Sequence, residues 1–123
     1  MKEIKVFGAN AKVFLKYQAD IKQLATKISK GLILSDFSIE HRESPPYDLT
    51  GSGEALGFQI WLDESNVVEG YNFILEMETE LSDDELFLGQ MHNLSPWLGR
   101  YIYRICDVQT CILGENGDIL ELK

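Results

Sequence analysis

The chain has 123 residues, of which 20 are Asp or Glu and 11 are Lys or Arg, giving a formal net charge of -9. That length fits one domain, and a domain of this size buries roughly two-thirds of the surface its unfolded chain exposes. A composition of 45% hydrophobic and 25% charged residues is not that of a disordered or membrane-spanning chain. The acidic balance also argues against nucleic acid, whose phosphates call for a basic surface.

Taken in order, Lys2 to Phe7 reads as a short strand with Ile4 and Val6 on one face. From Gln18 to Lys30, the residues Ile21, Leu24, Ala25, Ile28 and then Leu32 recur at helical spacing, with Lys22, Lys27 and Lys30 on the outer face. Asp20 is expected in the first turn of that helix, and Gly31 at a left-handed C-cap. Leu34 to Arg42 reads as a strand, with Phe37, Ile39 and His41 on one side and Asp36, Ser38 and Glu40 on the other.

The stretch Glu43 to Gly53 holds Ser44-Pro45-Pro46 and Thr50-Gly51-Ser52-Gly53, and is expected to be a connection that no central strand runs through. Leu56, Phe58, Ile60 and Leu62 then alternate with Gly57, Gln59, Trp61 and Asp63. Tyr71, Phe73, Leu75, Met77 and Thr79 alternate with Asn72, Ile74, Glu76, Glu78 and Glu80. With 63–70 as the loop between them, these segments form an antiparallel meander with one apolar and one polar face.

Ser82, with Glu85 three residues on, has the form of a capping box, and Asp83 and Asp84 suit the electropositive first turn of a helix. Ser95-Pro96 is a second helix start, followed at helical spacing by Leu98, Tyr101, Ile102, Ile105 and Cys106. A strand over 100–106 is the competitor there, and Trp97 and Tyr101 are expected in the core. Segments 110–113 and 119–122 flank Asn116-Gly117 as a closing hairpin. The whole predicts an α+β fold over 1–123: a largely antiparallel sheet of five to six strands with two to three helices packed on one face.

Charge is distributed unevenly along this order. Residues 1–42 carry a balance of +4, residues 43–90 carry twelve acids and no Lys or Arg, and residues 91–123 a balance of -1. The acidic block covers the central strands. On strand 71–80, Glu76, Glu78 and Glu80 share the polar face about 7 Å apart, given a rise of roughly 3.4 Å per residue. A solvated ladder of this kind is a poor acid/base catalyst, because general acid work calls for a desolvated carboxyl. It suits contact with Lys or Arg. Trp61 and Ile74 fall on the same face among the carboxylates, the composition of an interface hot spot with a charged rim.

Other chemistries find little footing. His41 and His92 have no His or Cys partner at ligand spacing, Cys106 and Cys111 do not form a C-x-x-C pair, and Asp63-Glu64-Ser65-Asn66 lacks the glycine of a calcium loop. No metal or cofactor is expected. The glycines at 51, 53 and 57 precede a strand and no Lys-Ser/Thr follows them, so they do not form a phosphate loop. No nucleophile elbow is present. The N-terminal segment lacks the apolar run of a signal peptide, and two cysteines are too few for a disulfide scaffold, so the expectation is a cytoplasmic protein with free thiols and no membrane contact.

Two readings follow. One is a small non-enzymatic binding protein, an inhibitor or immunity protein that neutralises a basic partner such as a nuclease toxin through Trp61, Ile74, Glu76, Glu78 and Glu80. In size and acidity it is similar to barstar-like inhibitors and to the small immunity proteins paired with bacterial toxins; no motif is shared, and no residue roles carry over. The alternative is a ligand-binding domain or small enzyme with a site built from His41, Tyr47, Asp48 and His92 around the 43–53 loop. A homodimer through an edge strand or the Trp61 face is a third arrangement.

Overall fold

The computed structural model describes residues 6–32, 34, 37–41, 49–55, 58–79, 90–114 and 116–122. Among these, eight strands and two helices follow in the order β1 (Val6–Lys16), α1 (Ile21–Gly31), β2 (Ser38–His41), β3 (Leu49–Ala55), β4 (Phe58–Glu64), β5 (Phe73–Thr79), β6 (Gln90–Asn93), α2 (Ser95–Tyr101), β7 (Gln109–Leu113) and β8 (Ile119–Leu122). A single π-helical turn, Ile102–Cys106, continues α2 and ends at Asp107 in the left-handed region. The fold is α+β, as the sequence pattern predicts, with more strands than expected. The capping box at 82–85 lies outside the described residues.

The sheet runs β2-β3-β4-β5-β1-β7-β8, with β6 also paired to β1. Ala11, Val13 and Leu15 of β1, Ile60 and Leu62 of β4, Phe73, Leu75 and Met77 of β5, and Ile112 and Leu122 of β7 and β8 alternate onto one face. Ile21, Leu24, Ala25 and Ile28 of α1 and Leu98, Ile102 and Cys106 of α2 and its π turn pack against them, so both helices cover that face. The opposite face carries the other half of each alternation, and it is where the candidate site lies.

Several expectations are corrected. The first strand does not stop at Phe7. The alternation of Ala11, Val13 and Leu15 with Asn10, Lys12 and Phe14 carries it to Lys16. Asp20 precedes the helix as its N-cap, accepting a hydrogen bond from the Gln23 amide at 2.9 Å. Gly31 is the last helical residue, and the cap, Leu32, is right-handed. The glycine is needed for contact instead: the Cys106 sulfur sits where a Cβ would project, while the Tyr101 hydroxyl donates to the Gly31 carbonyl at 2.8 Å.

The segment read as a connection holds β3, paired between β2 and β4. Gly51 does not turn the chain there. It makes room for Phe37, whose ring atoms lie 2.8 and 2.9 Å from the position of a Cβ. Over 95–106 helix prevails against strand. Trp97 is 55% exposed rather than in the core, and Tyr101 is half-buried. The closing hairpin is present between β7 and β8 as expected, with Gly117 at φ 82° and its amide donating to the Gly114 carbonyl at 2.9 Å.

β1 changes partner along one edge. Its first half pairs with β6 in parallel (Ala9↔His92, Asn10↔Asn93), and its last residues pair with β7 in antiparallel (Phe14↔Cys111, Leu15↔Thr110). Between them the start of α2 closes the ladder. The Leu94 amide donates to the Asn10 carbonyl at 2.7 Å, the Lys12 amide donates to Ser95 Oγ at 2.9 Å, and the Ser95 amide donates to Asn93 Oδ1 at 3.0 Å. Thr110, fully buried, donates through Oγ1 to the Gly99 carbonyl at 2.9 Å and ties α2 to β7.

Candidate functional site

Strand register maps three rows on the sheet face away from the helices. One runs Thr50–Asp63–Ile74–Phe14–Cys111–Glu121, the next Ser52–Trp61–Glu76–Lys12, and the third Glu54–Gln59–Glu78–Asn10–Asn93. These rows carry Glu54, Asp63, Glu76, Glu78 and Glu121 against Lys12, with Lys16 beside Gln109 at the edge of the same face, so the acidic block of the sequence becomes an acidic surface.

The first row is covered. The loop between β4 and β5 turns back over it, placing Val68 and Tyr71 on Phe14, Cys111 and Ile74 in a second, smaller core. Asn72 clamps this loop to the end of β1, accepting from the Tyr17 amide at 3.0 Å and donating to the Tyr17 carbonyl at 2.7 Å. The Tyr71 hydroxyl lies 3.4 Å from Glu121 Oε1 and receives Gln109 Nε2 at 3.3 Å. Burial pushes the Tyr71 hydroxyl and the Cys111 thiol above their ordinary ranges, and the nearby Glu121 carboxylate adds to both shifts. Ile74 is half-buried inside this cluster, so its apolar surface serves packing rather than an interface.

The other two rows enclose a cavity of about 590 Å³, within the usual range for ligand sites. Asn10, Lys12, Trp61, Glu76, Glu78 and Asn93 supply its polar and aromatic lining, and the exposed Leu113 lies on its rim. Trp61 is half-buried and also borders a second hollow with Ser38, Ser52, Glu54 and Gln59. Lys12 stands directly opposite Glu76 in the β1–β5 ladder, where facing side chains lie roughly 5 Å apart at Cβ.

Of the partner-binding residues expected from sequence, Trp61, Glu76 and Glu78 are brought together here, Ile74 is diverted, and Glu80 lies outside the described residues. Asn10, Lys12 and Asn93 were not expected. Lys12 was legible as the polar member between Ala11 and Val13, but its place beside Glu76 needed the strand order. Of the alternative set, His41 and His92 are not brought together. His41 is on β2 and the exposed His92 on β6, five inter-strand spacings apart, or about 24 Å along the sheet. Tyr47 and Asp48 lie outside the described residues.

Among the described residues no cluster of His, Cys, Asp and Glu is placed to hold a metal ion, and no helix is long and apolar enough to cross a membrane. The two thiols are buried and unpaired. Burial raises the Cys106 thiol above its ordinary range, partly countered by Lys27. The arrangement therefore offers recognition chemistry: an aromatic wall, carboxylates and amides in a half-open hollow. No protein-family model, curated protein or solved structure matches the chain.

Proposed function

We propose that this chain is a small cytosolic binding protein, an inhibitor or immunity protein, whose uncovered sheet face neutralises a basic protein partner such as a nuclease toxin. The observation that carries this reading is the cavity in which the half-buried Trp61 stands beside Glu76 and Glu78 on a face of acidic rows. Opposite potentials speed encounter and fix orientation, and a Trp in a charged rim is the usual anchor of such contacts. A twofold dimer through the same face is disfavoured, since it would set these carboxylates against their own copies.

The test is capture from an extract of the source cell, with the wild type and a Trp61→Ala/Glu78→Lys variant as paired baits. A basic protein held by the wild type and lost by the variant is expected. Its association rate should fall steeply as salt rises. Equal retention by both baits, or a salt-independent rate, overturns the reading.

A further inference from the structure

Charge in the cavity is unbalanced by one. Two carboxylates, Glu76 and Glu78, and one ammonium, Lys12, line it. By register Lys12 stands opposite Glu76 across the ladder, whereas Glu78 stands opposite Asn10 and Gln59, neither of them charged. Glu78 is exposed and is the diagonal neighbour of Trp61, which faces Glu76 from β4. Diagonal pairs lie about 7–8 Å apart, wide enough for a flat group to enter between them. Asn10 and Asn93 line the same cavity and bring neutral amide oxygens to it, that of Asn93 also accepting the Ser95 amide.

We infer that this cavity is the seat of a single arginine side chain, inserted with its guanidinium against the Trp61 indole and hydrogen-bonded to the Glu78 carboxylate. The inference rests on the reading of this face as the docking surface for a basic protein, and it names the residue that surface accepts. Three features select arginine over lysine. The indole of Trp61, in the cavity lining, suits a planar cation by stacking. One carboxylate with the amide oxygens of Asn10 and Asn93 in the same lining matches five N–H donors in a fixed fork better than three on a rotating ammonium. A guanidinium is also the more weakly hydrated cation and gives up its water more readily in a half-enclosed hollow. Lys12 limits the seat to one cation, because a second would face an ammonium with no free carboxylate.

The probes are three blocked tripeptides, acetyl-Gly-Xaa-Gly-amide, with arginine, lysine or the neutral isostere citrulline at Xaa. The readouts are Trp61 emission in a Trp97→Phe background and the Trp61 indole N–H resonance, both at low ionic strength. The arginine peptide should bind about tenfold more tightly than the lysine peptide, and citrulline should leave the signals unmoved. Glu78→Gln should weaken arginine binding about tenfold. Lys12→Met should strengthen it, Glu76→Gln should weaken it, and the double variant Glu76→Gln/Lys12→Met should bind as the wild type does, because the two charges leave together. Equal binding of lysine and arginine, binding of citrulline, or a double variant about tenfold away from wild type overturns the arginine seat. The wider reading is judged separately, by the salt-dependent capture described above, and survives a result in which lysine and arginine bind alike.

Discussion

Ser95→Ala tests how the cavity is held. Ser95 is 7% exposed, and its Oγ is the acceptor for the Lys12 amide at the point where β1 has left β6 and not yet met β7. Alanine fits the space but leaves that amide without a partner beneath α2. Orphaning a buried donor costs about 1–3 kcal/mol, and the removed side chain is too small to add a large cavity term. At about 2.1 cal/mol/K per residue, 123 residues give an unfolding entropy near 0.26 kcal/mol/K, so a loss of about 2 kcal/mol lowers Tm by about 8 °C. Urea and thermal unfolding should agree, and amide exchange should quicken first at Lys12, whose side chain lines the cavity. Thr26→Ala is the control: its hydroxyl donates to the Lys22 carbonyl on the exposed side of α1, and its loss should cost less than about 0.5 kcal/mol. If Ser95→Ala costs no more than the control, Ser95 is not what completes the β1 ladder.

Three further outcomes follow from the geometry. Asp20→Ala removes the acceptor for the Gln23 amide and should cost about 1 kcal/mol, lowering Tm by about 4 °C with exchange quickened in the first turn of α1. Gly51→Ala sets a methyl against the Phe37 ring, and forcing that ring aside should cost about 1–3 kcal/mol in urea unfolding; a neutral result would show that Phe37 does not rest there. Cys106, Cys111 and Tyr71 all have folded-state values raised above ordinary ones of 9.0, 9.0 and 10.0, so the folded state holds these protons more tightly than the unfolded one. Their contribution to stability is complete below about pH 9 and is lost as pH rises through the raised values. Alkaline unfolding should begin there, should become shallower in a Cys106→Ala/Cys111→Ala variant, and should coincide with thiol reactivity that is absent at neutral pH.

The parts of the fold legible in the sequence are those whose cause is local. Alternation at 58–64 and 73–79 shows which face of β4 and β5 is buried, because a strand repeats every two residues and the core must lie on the apolar side. The stripe Ile21, Leu24, Ala25, Ile28 likewise reveals α1. What escaped depends on partners distant in sequence. Gly51 and Gly53 look like turn residues until Phe37 is seen above the first of them. Gly31 looks like a cap until Cys106 arrives from the far end of the chain. β6 is four residues long and parallel to β1, and a segment that short has no pattern of its own. For the candidate site, the acidic and aromatic members were visible as side chains on polar faces. Ile74 and Lys12 were not separable in that way, since the loop that covers one and the carboxylate that faces the other are set by strand order.

The position of β1 also has a consequence during synthesis. Its residues emerge early, yet its partners lie at 73–78, 90–93 and 109–111. At roughly 5–20 residues per second, Phe14 waits about 5–20 s for Cys111 to be made. Until Ile74 is made, a strand carrying Val13, Phe14 and Leu15 has no β5 partner, and until Cys111 is made its other edge stays open. Lys12 and Lys16 bracket this apolar run, and a positive charge at each end discourages pairing with the same strand of another nascent chain. Lys12 thus acts twice: as a gatekeeper before the sheet closes, and as the cation in the lining of the acidic cavity afterwards.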